Sequence, residues 1–241
     1  MRIFRAAVIA IMAATAAGCG SGGGLFRQYE YEEDVYLSLD GAATVYVNSS
    51  LPALDALRGA AFNPDPQARI DREAVQRYYT TPVTRVVSIT ESRRSGRLFV
   101  HVRLDVDDII RLGEAAPFAW SRYDLRRTDS QYLFTQAIGA AAGKPASGAG
   151  WDGREIVAFR LHLPSKIDYH NAGAANLRRG NILVWEQKLT DRLSGVPLLL
   201  DARMQTQSIL YTTLSLFGIT CVAVAVMFGI VIVVVRRSGK N

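Results

Sequence analysis

The chain has 241 residues, 49% of them hydrophobic and 21% charged, with 28 Lys and Arg against 22 Asp and Glu and a formal net charge of +6. Two of the cations stand in the first five residues and three in the last six, so the region between carries 23 against 22; the pI of about 9.5 reflects the two ends and gives no ground for a nucleic-acid partner. The two cysteines, Cys19 and Cys221, are too few for a disulfide framework.

In chain order, Arg2 and Arg5 precede an uncharged, small-residue run over 6–17, the length of a signal-peptide core and too short to cross a bilayer. Ala17-Gly18-Cys19 then ends like a bacterial lipoprotein signal, with small residues before a cysteine. This predicts a lipoprotein signal peptide over 1–18, acylation of Cys19, and a glycine-rich leash over 19–24; ordinary signal peptidase cleavage beside an incidental cysteine is the alternative.

Residues 25–208 form the expected exported domain. Tyr29, Tyr31, Glu33, Val35, Leu37 and Leu39 alternate with polar residues, the period of a strand with one apolar face. Asp40-Gly41 predicts a hairpin turn, and Ala43, Val45 and Val47 the return strand. Ser50 reads as the N-cap of a helix with Pro52 in its first turn, ending at Gly59, and Asp71 opens a second helix through Tyr79. Strands are expected over 83–90 and 98–106 around the Ser95-Gly96 turn. A short helix capped by Asp107 and ended by Gly113 should follow, then paired strands over 118–126 and 131–138. The run 139–150 has the composition of a flexible linker. Beyond it, strands are expected over 155–163, 181–189 and 196–200, with a long loop over 164–180 and a juxtamembrane segment over 201–208. The uncharged stretch 209–235 is long enough for a transmembrane helix, and Arg236, Arg237 and Lys240 in the tail 236–241 place the C-terminus in the cytoplasm. The fold class is therefore α+β: a curved, mainly antiparallel sheet with two or three helices on one face, plus one C-terminal transmembrane helix.

Motifs for chemistry fail on spacing. Gly139 to Lys144 mimics a phosphate loop but has three residues between its glycines and no Ser or Thr after the lysine, and Ser147 is not in a G-x-S-x-G setting. His101 and His162 fall mid-strand, where hydrogen-bonded structural roles are expected, and no His, Cys or carboxylate cluster has zinc spacing. The pairs Glu32/Glu33 and Asp107/Asp108 alternate faces or cap. No enzyme, catalytic residue, cofactor or metal is expected. The basic pairs Arg93-Arg94 and Arg178-Arg179 lie on turns; Arg178 and Arg179 are candidates for contact with anionic headgroups.

Leu161-His162-Leu163-Pro164-Ser165, then Asn171, then Gly180-Asn181-Ile182-Leu183-Val184-Trp185 resemble the LppM-like family of bacterial envelope lipoproteins. In that family a strand ends in Leu-Pro, a loop with an Asn follows, and a glycine turn leads to a strand bearing Trp. The plan of lipoprotein signal, α+β domain, C-terminal span and basic tail is similar too, so the resemblance extends over 25–237. The chain departs from the family at Ala16, where Leu is commoner, and in the linker 139–150. The resemblance implies an envelope domain similar to lipid-binding modules, with membrane lipids as partners. The expectation is a doubly anchored lipoprotein of the bacterial cytoplasmic membrane, its domain outside the cytoplasm, binding a lipid or other amphiphile near a rim formed by Tyr169, His170, Asn171 and Trp185. The alternative is a protein-interaction module or accessory subunit of an envelope complex, docking through strand edges.

Overall fold

The computed structural model describes residues 27–141, 149–173, 177, 178 and 180–238. The signal segment 1–18, Cys19, the leash 19–24, positions 142–148 of the linker, Arg179 and the last three residues of the tail lie outside the described residues.

Strands β1 (Tyr29–Leu37) and β2 (Ala43–Ser50) pair antiparallel as their alternation requires, with Tyr31, Val35, Val45 and Val47 buried on one face. The Ser50 hydroxyl caps α1 (Leu51–Arg58) by accepting from the Ala53 N–H at 3.2 Å, and Gly59, at φ 66°, closes it in the left-handed conformation. Helix α2 (Arg72–Tyr79) starts on Asp71, whose Oδ1 accepts from the Ala74 N–H at 2.9 Å. Strands β3 (Thr84–Arg94) and β4 (Arg97–Val106) meet at Ser95 and Gly96, both at positive φ (51° and 69°), as a two-residue hairpin turn demands.

Two short 3₁₀ turns, Ile109–Glu114 and Ala116–Phe118, follow. The cap of the first is Asp108, which accepts from the Ile110 N–H at 3.0 Å, and not Asp107 as expected: the chain is still extended at Asp108, and its carboxylate reaches the first free amide. Because Ala116–Phe118 is a turn, β5 begins at Ser121 rather than at residue 118, running to Arg127 and pairing with β6 (Gln131–Ile138).

The second half holds β7 (Ile156–His162), β8 (Ser165–His170), β9 (Leu177–Arg178), β10 (Ile182–Lys188), the short helix α3 (Leu189–Leu193), β11 (Leu198–Ser208) and α4 (Ile209–Ser238). Two expectations are corrected here. The segment after Leu163-Pro164 forms the edge strand β8 instead of a loop, since its backbone pairs with β11. The expected juxtamembrane segment 201–208 is the second half of β11, with Ala202 and Met204 buried on the inner face between Asp201, Arg203 and Gln205.

The strands are divided between two sheets. The larger runs β3-β4-β2-β1-β7-β10-β9 and the smaller β5-β6-β11-β8; every pairing is antiparallel except β1 with β7. Both sheets feed one core: Tyr31, Val102, Leu104, Phe159 and Leu183 from the larger meet Phe134, Leu200 and Met204 from the smaller, with Leu54 and Leu57 of α1. Each such side chain contributes ~1.5–3 kcal/mol on full burial. Residues 209–233 of α4 are apolar and long enough to cross a membrane, and none of that span is buried against the domain. A helix that is apolar all round and uncovered by protein is what a bilayer accommodates.

Candidate functional site

The residues expected to line a ligand rim are drawn into the fold itself. Trp185, 5% exposed on β10, donates its indole N–H to Asn171 Oδ1 at 2.9 Å. The same oxygen accepts from the Asp201 N–H at 2.9 Å, and Asn171 Nδ2 donates to the Leu199 carbonyl at 2.8 Å. Asn171 therefore buckles the large sheet, through Trp185, to β11 of the small one. His170 Nδ1 donates to the Ala172 carbonyl at 2.8 Å, and Tyr169, 45% exposed, lies beneath the Arg203 guanidinium, 4.8 Å from its ring centre. Thus Asn171 and Trp185 come together, while His170 turns to backbone and Tyr169 to Arg203. Arg178 contributes its backbone to the β9–β10 pair.

A cleft of about 520 Å³ opens where the domain meets the apolar helix, lined by Lys166, Gly180, Asn181, Gln205, Gln207, Ile209 and Thr213. Its position follows from continuity, because β11 passes into α4 without an intervening loop. The joint is fastened: Ser208 pairs with Ser165, the Ile209 N–H donates to the Pro164 carbonyl at 2.9 Å, and the Tyr211 N–H donates to the Ser208 hydroxyl at 3.2 Å. The Leu-Pro-Ser and Gly-Asn stretches noted in the sequence, 163–165 and 180–181, meet here, Asn181 Nδ2 donating to the Leu163 carbonyl at 3.0 Å. Lys166 supplies a cation; Gln205 Nε2 donates to Asp168 at 3.1 Å; and beneath the cleft the fully buried Ser165 hydroxyl has no hydrogen-bond partner among the described residues. The Lys166 ammonium and the side-chain amides of Asn181, Gln205 and Gln207, at the foot of the apolar helix, are a donor set for an anionic or zwitterionic headgroup.

At the other end of β11 a second groove of about 520 Å³ runs along Trp120, Ile138, Pro197, Leu198 and Leu199, with Leu199 52% exposed. It is lined mainly by apolar side chains, a surface for docking rather than for polar chemistry.

Sequence reasoning missed the polar groups of the interior. Glu33, 1% exposed, accepts from Tyr123 Oη at 2.7 Å, Gln136 Nε2 at 2.8 Å and Tyr31 Oη at 3.0 Å, tying β1 to both strands of the β5–β6 hairpin. Burial pushes its carboxyl above the usual carboxylate range, against the pull of those donors. Glu30, also raised by burial, is paired with the buried Arg97 at 3.1 Å. Arg58 and Arg192 are buried against Trp120, their guanidinium carbons 4.0 and 5.5 Å from its ring centre. A glutamate inside an apolar alternation was the available signal for Glu33. Among the described residues no group of three or more His, Cys, Asp or Glu is placed to hold a metal.

These features define a class: an α+β domain of two mainly antiparallel sheets whose last strand runs directly into a single apolar helix. No protein-family model matches the chain, and no curated protein matches it. A solved structure that is similar is the NMR structure of the folded domain of LppM from Mycobacterium tuberculosis, at 10% identity and a TM-score of 0.42, covering 77% of this chain and 95% of that one. The relationship is a distant one of fold.

Proposed function

We propose that this protein is a lipoprotein of the bacterial cytoplasmic membrane that holds its domain outside the cytoplasm and engages membrane lipid headgroups in the cleft at the domain–helix joint. The observation that carries the reading is the unbroken passage of β11 into α4, which brings Lys166, Asn181 and Gln205 beside the first turn of the apolar helix. Arg236, Arg237 and Lys240 support a cytoplasmic C-terminus. Acylation of Cys19 is compatible with the geometry. β1 runs parallel to β7, so Tyr29 lies at the end of the sheet away from the joint, ~26 Å along the strand direction. Nine residues lie between Cys19 and Tyr29, and the ten steps of chain that join them reach at most ~35 Å.

The test uses the full chain in nanodiscs of phosphatidylethanolamine and phosphatidylglycerol, released into the gas phase for native mass spectrometry. Retention of one lipid by the wild type, weakened in Lys166→Glu, is the expected result. Equal loss of lipid from both would refute the cleft reading. The second reading, docking on an envelope protein, is favoured by the apolar groove at Leu198 and Leu199; it predicts a clean apo mass and cross-links to a protein partner from Leu199→Cys.

A further inference from the structure

On the outer face of the large sheet, three side chains from three adjacent strands are hydrogen-bonded in series. Ser92 Oγ lies 2.7 Å from His101 Nε2, and His101 Nδ1 lies 3.0 Å from Asn48 Oδ1. Strand register explains the line: Asn48 stands directly opposite His101 in the β2–β4 pair, while Thr90 is opposite His101 in β3–β4, leaving Ser92 as the diagonal neighbour two residues along. An amide oxygen can only accept, so the imidazole proton sits on Nδ1 and the lone pair of Nε2 faces the Ser92 hydroxyl, which donates to it. Burial, seconded by the nearby Arg94 and opposed by Glu32, holds His101 below the ordinary histidine range, so the ring is neutral near neutral pH. A base oriented by a third group and hydrogen-bonded to a hydroxyl is the arrangement that nucleophilic catalysis requires.

We propose that Ser92 is a nucleophile activated by His101, that Asn48 positions the imidazole, and that this face of the domain cleaves oxygen esters. Ser92 Oγ adds to the ester carbonyl carbon as its proton passes to His101 Nε2. Collapse of the tetrahedral oxyanion breaks the bond to the alcohol oxygen, which takes the proton back from His101. Water, deprotonated by the same nitrogen, then adds to the acyl-serine and releases the carboxylic acid with Ser92 restored. Atoms and charge balance with water as the only co-reactant. Arg94, two residues beyond Ser92 on the same face, supplies positive charge beside the oxyanion; its guanidinium is held by the Tyr29 carbonyl and lies 4.4 Å from the Phe99 ring centre.

Exposure selects the substrate class. Ser92 is exposed and His101 half-buried on an open sheet face beside the Ser95-Gly96 turn, a setting that admits an acyl group projecting from a larger molecule. The activity is separate from the headgroup cleft, because the line lies toward the end of β4 remote from the β11–α4 joint: Phe99 and Val100 pair with Ser50 and Ser49, at the end of β2 away from the joint.

The experiment treats the full chain in detergent with a fluorophosphonate probe and maps the adduct by peptide mass, with p-nitrophenyl acetate turnover measured in parallel. A phosphonyl adduct on Ser92, absent in Ser92→Ala, is expected. Removing a general base lowers rates by ~10²-fold or more, so His101→Gln should label and turn over at least that much more slowly. Asn48→Ala should lower both rates and Asn48→Asp, which keeps the acceptor, should restore them; a merely structural cross-strand bond would leave wild-type labelling no faster than in Ser92→Ala. That outcome, or an adduct mapped to another residue, overturns the proposal. Ser92 is exposed, so Ser92→Ala should keep the thermal midpoint of the wild type, and a loss of label then reports chemistry.

Discussion

Truncating Asn171 to alanine tests whether the rim residues hold the molecule together. The change removes three hydrogen bonds: the one from the Trp185 indole, which joins the large sheet to the small, and those from the Asp201 amide and to the Leu199 carbonyl, which hold Asn171 against β11. A typical bond is worth ~1 kcal/mol net, and a buried donor left without a partner costs ~1–3 kcal/mol. Trp185 is buried whereas the other two bonds lie at the surface, where water replaces part of the loss, so the total comes to ~3 kcal/mol. For a domain of this size each kcal/mol moves the midpoint by ~2–4 °C, giving a fall of ~6–12 °C. Thermal unfolding of the full chain in detergent, followed by tryptophan fluorescence and circular dichroism, measures it. Trp185→Phe removes the indole donor together with part of the buried ring, so its cost should exceed the ~1 kcal/mol of the bond by the cavity it leaves. In the double variant the two losses should overlap by ~1 kcal/mol, as they do for residues that share a bond. A fall of under about 2 °C in Asn171→Ala, or strict additivity in the cycle, would refute the buckle.

Three further outcomes follow from the interior. Glu30→Ala leaves the Arg97 guanidinium, 7% exposed, without its carboxylate at 3.1 Å; removal of one partner from a buried pair costs ~3–5 kcal/mol, read from the urea midpoint. Gly113→Ala would set a methyl 2.6 Å from the Ser121 carbonyl oxygen, a backbone clash expected to cost ~1–3 kcal/mol and to lower the thermal midpoint. Glu33→Gln tests the buried carboxyl by its pH dependence. Burial raises the folded pKa of Glu33, so the folded state binds its proton more tightly than the unfolded one. That contribution is fully present below the ordinary carboxylate pKa and lost as pH rises through the raised one, so the stability of the wild type relative to Glu33→Gln should decline across that window. Urea titrations of both proteins from about pH 4 to about pH 8 give the difference, and a constant difference would count against the assignment.

Local signals carried far along this chain, and their failures have one physical origin. Ser50, Gly59 and Asp71 mark helix ends because a cap is decided within four residues, and the Ser95-Gly96 turn is as short-ranged. The β8 strand was hidden because an edge strand need bury little: Ser165 is buried, but Lys166, Asp168 and Tyr169 face solvent, so the alternation reads as loop. In β11, Leu200, Ala202 and Met204 do alternate with Asp201, Arg203 and Gln205, but charges beside an apolar span read equally well as a membrane-surface segment. The division into two sheets was out of reach, since it depends on β1 pairing with β7 across more than a hundred residues and no local periodicity encodes a partner.

The same non-local register governs the candidate sites. Asn48, Ser92 and His101 lie on three strands, His101 reading as an ordinary strand residue and Ser92 falling beyond the strand expected over 83–90; only the pairing of β2, β4 and β3 puts their polar atoms in line. Pro164, Lys166, Asn181 and Gln205 converge because β11 must end where α4 begins, so the position of the apolar helix, legible from composition alone, fixes which end of the small sheet carries the cleft. A surface set in this way is fastened at both sheets. β8 and β11 hold one side of the cleft, Asn181 at the start of β10 holds the other, and the Asn171–Trp185 buckle ties the two sheets together further back along β11, at Leu199 and Asp201. Asn171 and Trp185, two of the four residues named from sequence for a ligand rim, thus serve the joining of the sheets and not the cleft itself, which is why loosening Asn171 should show first in stability.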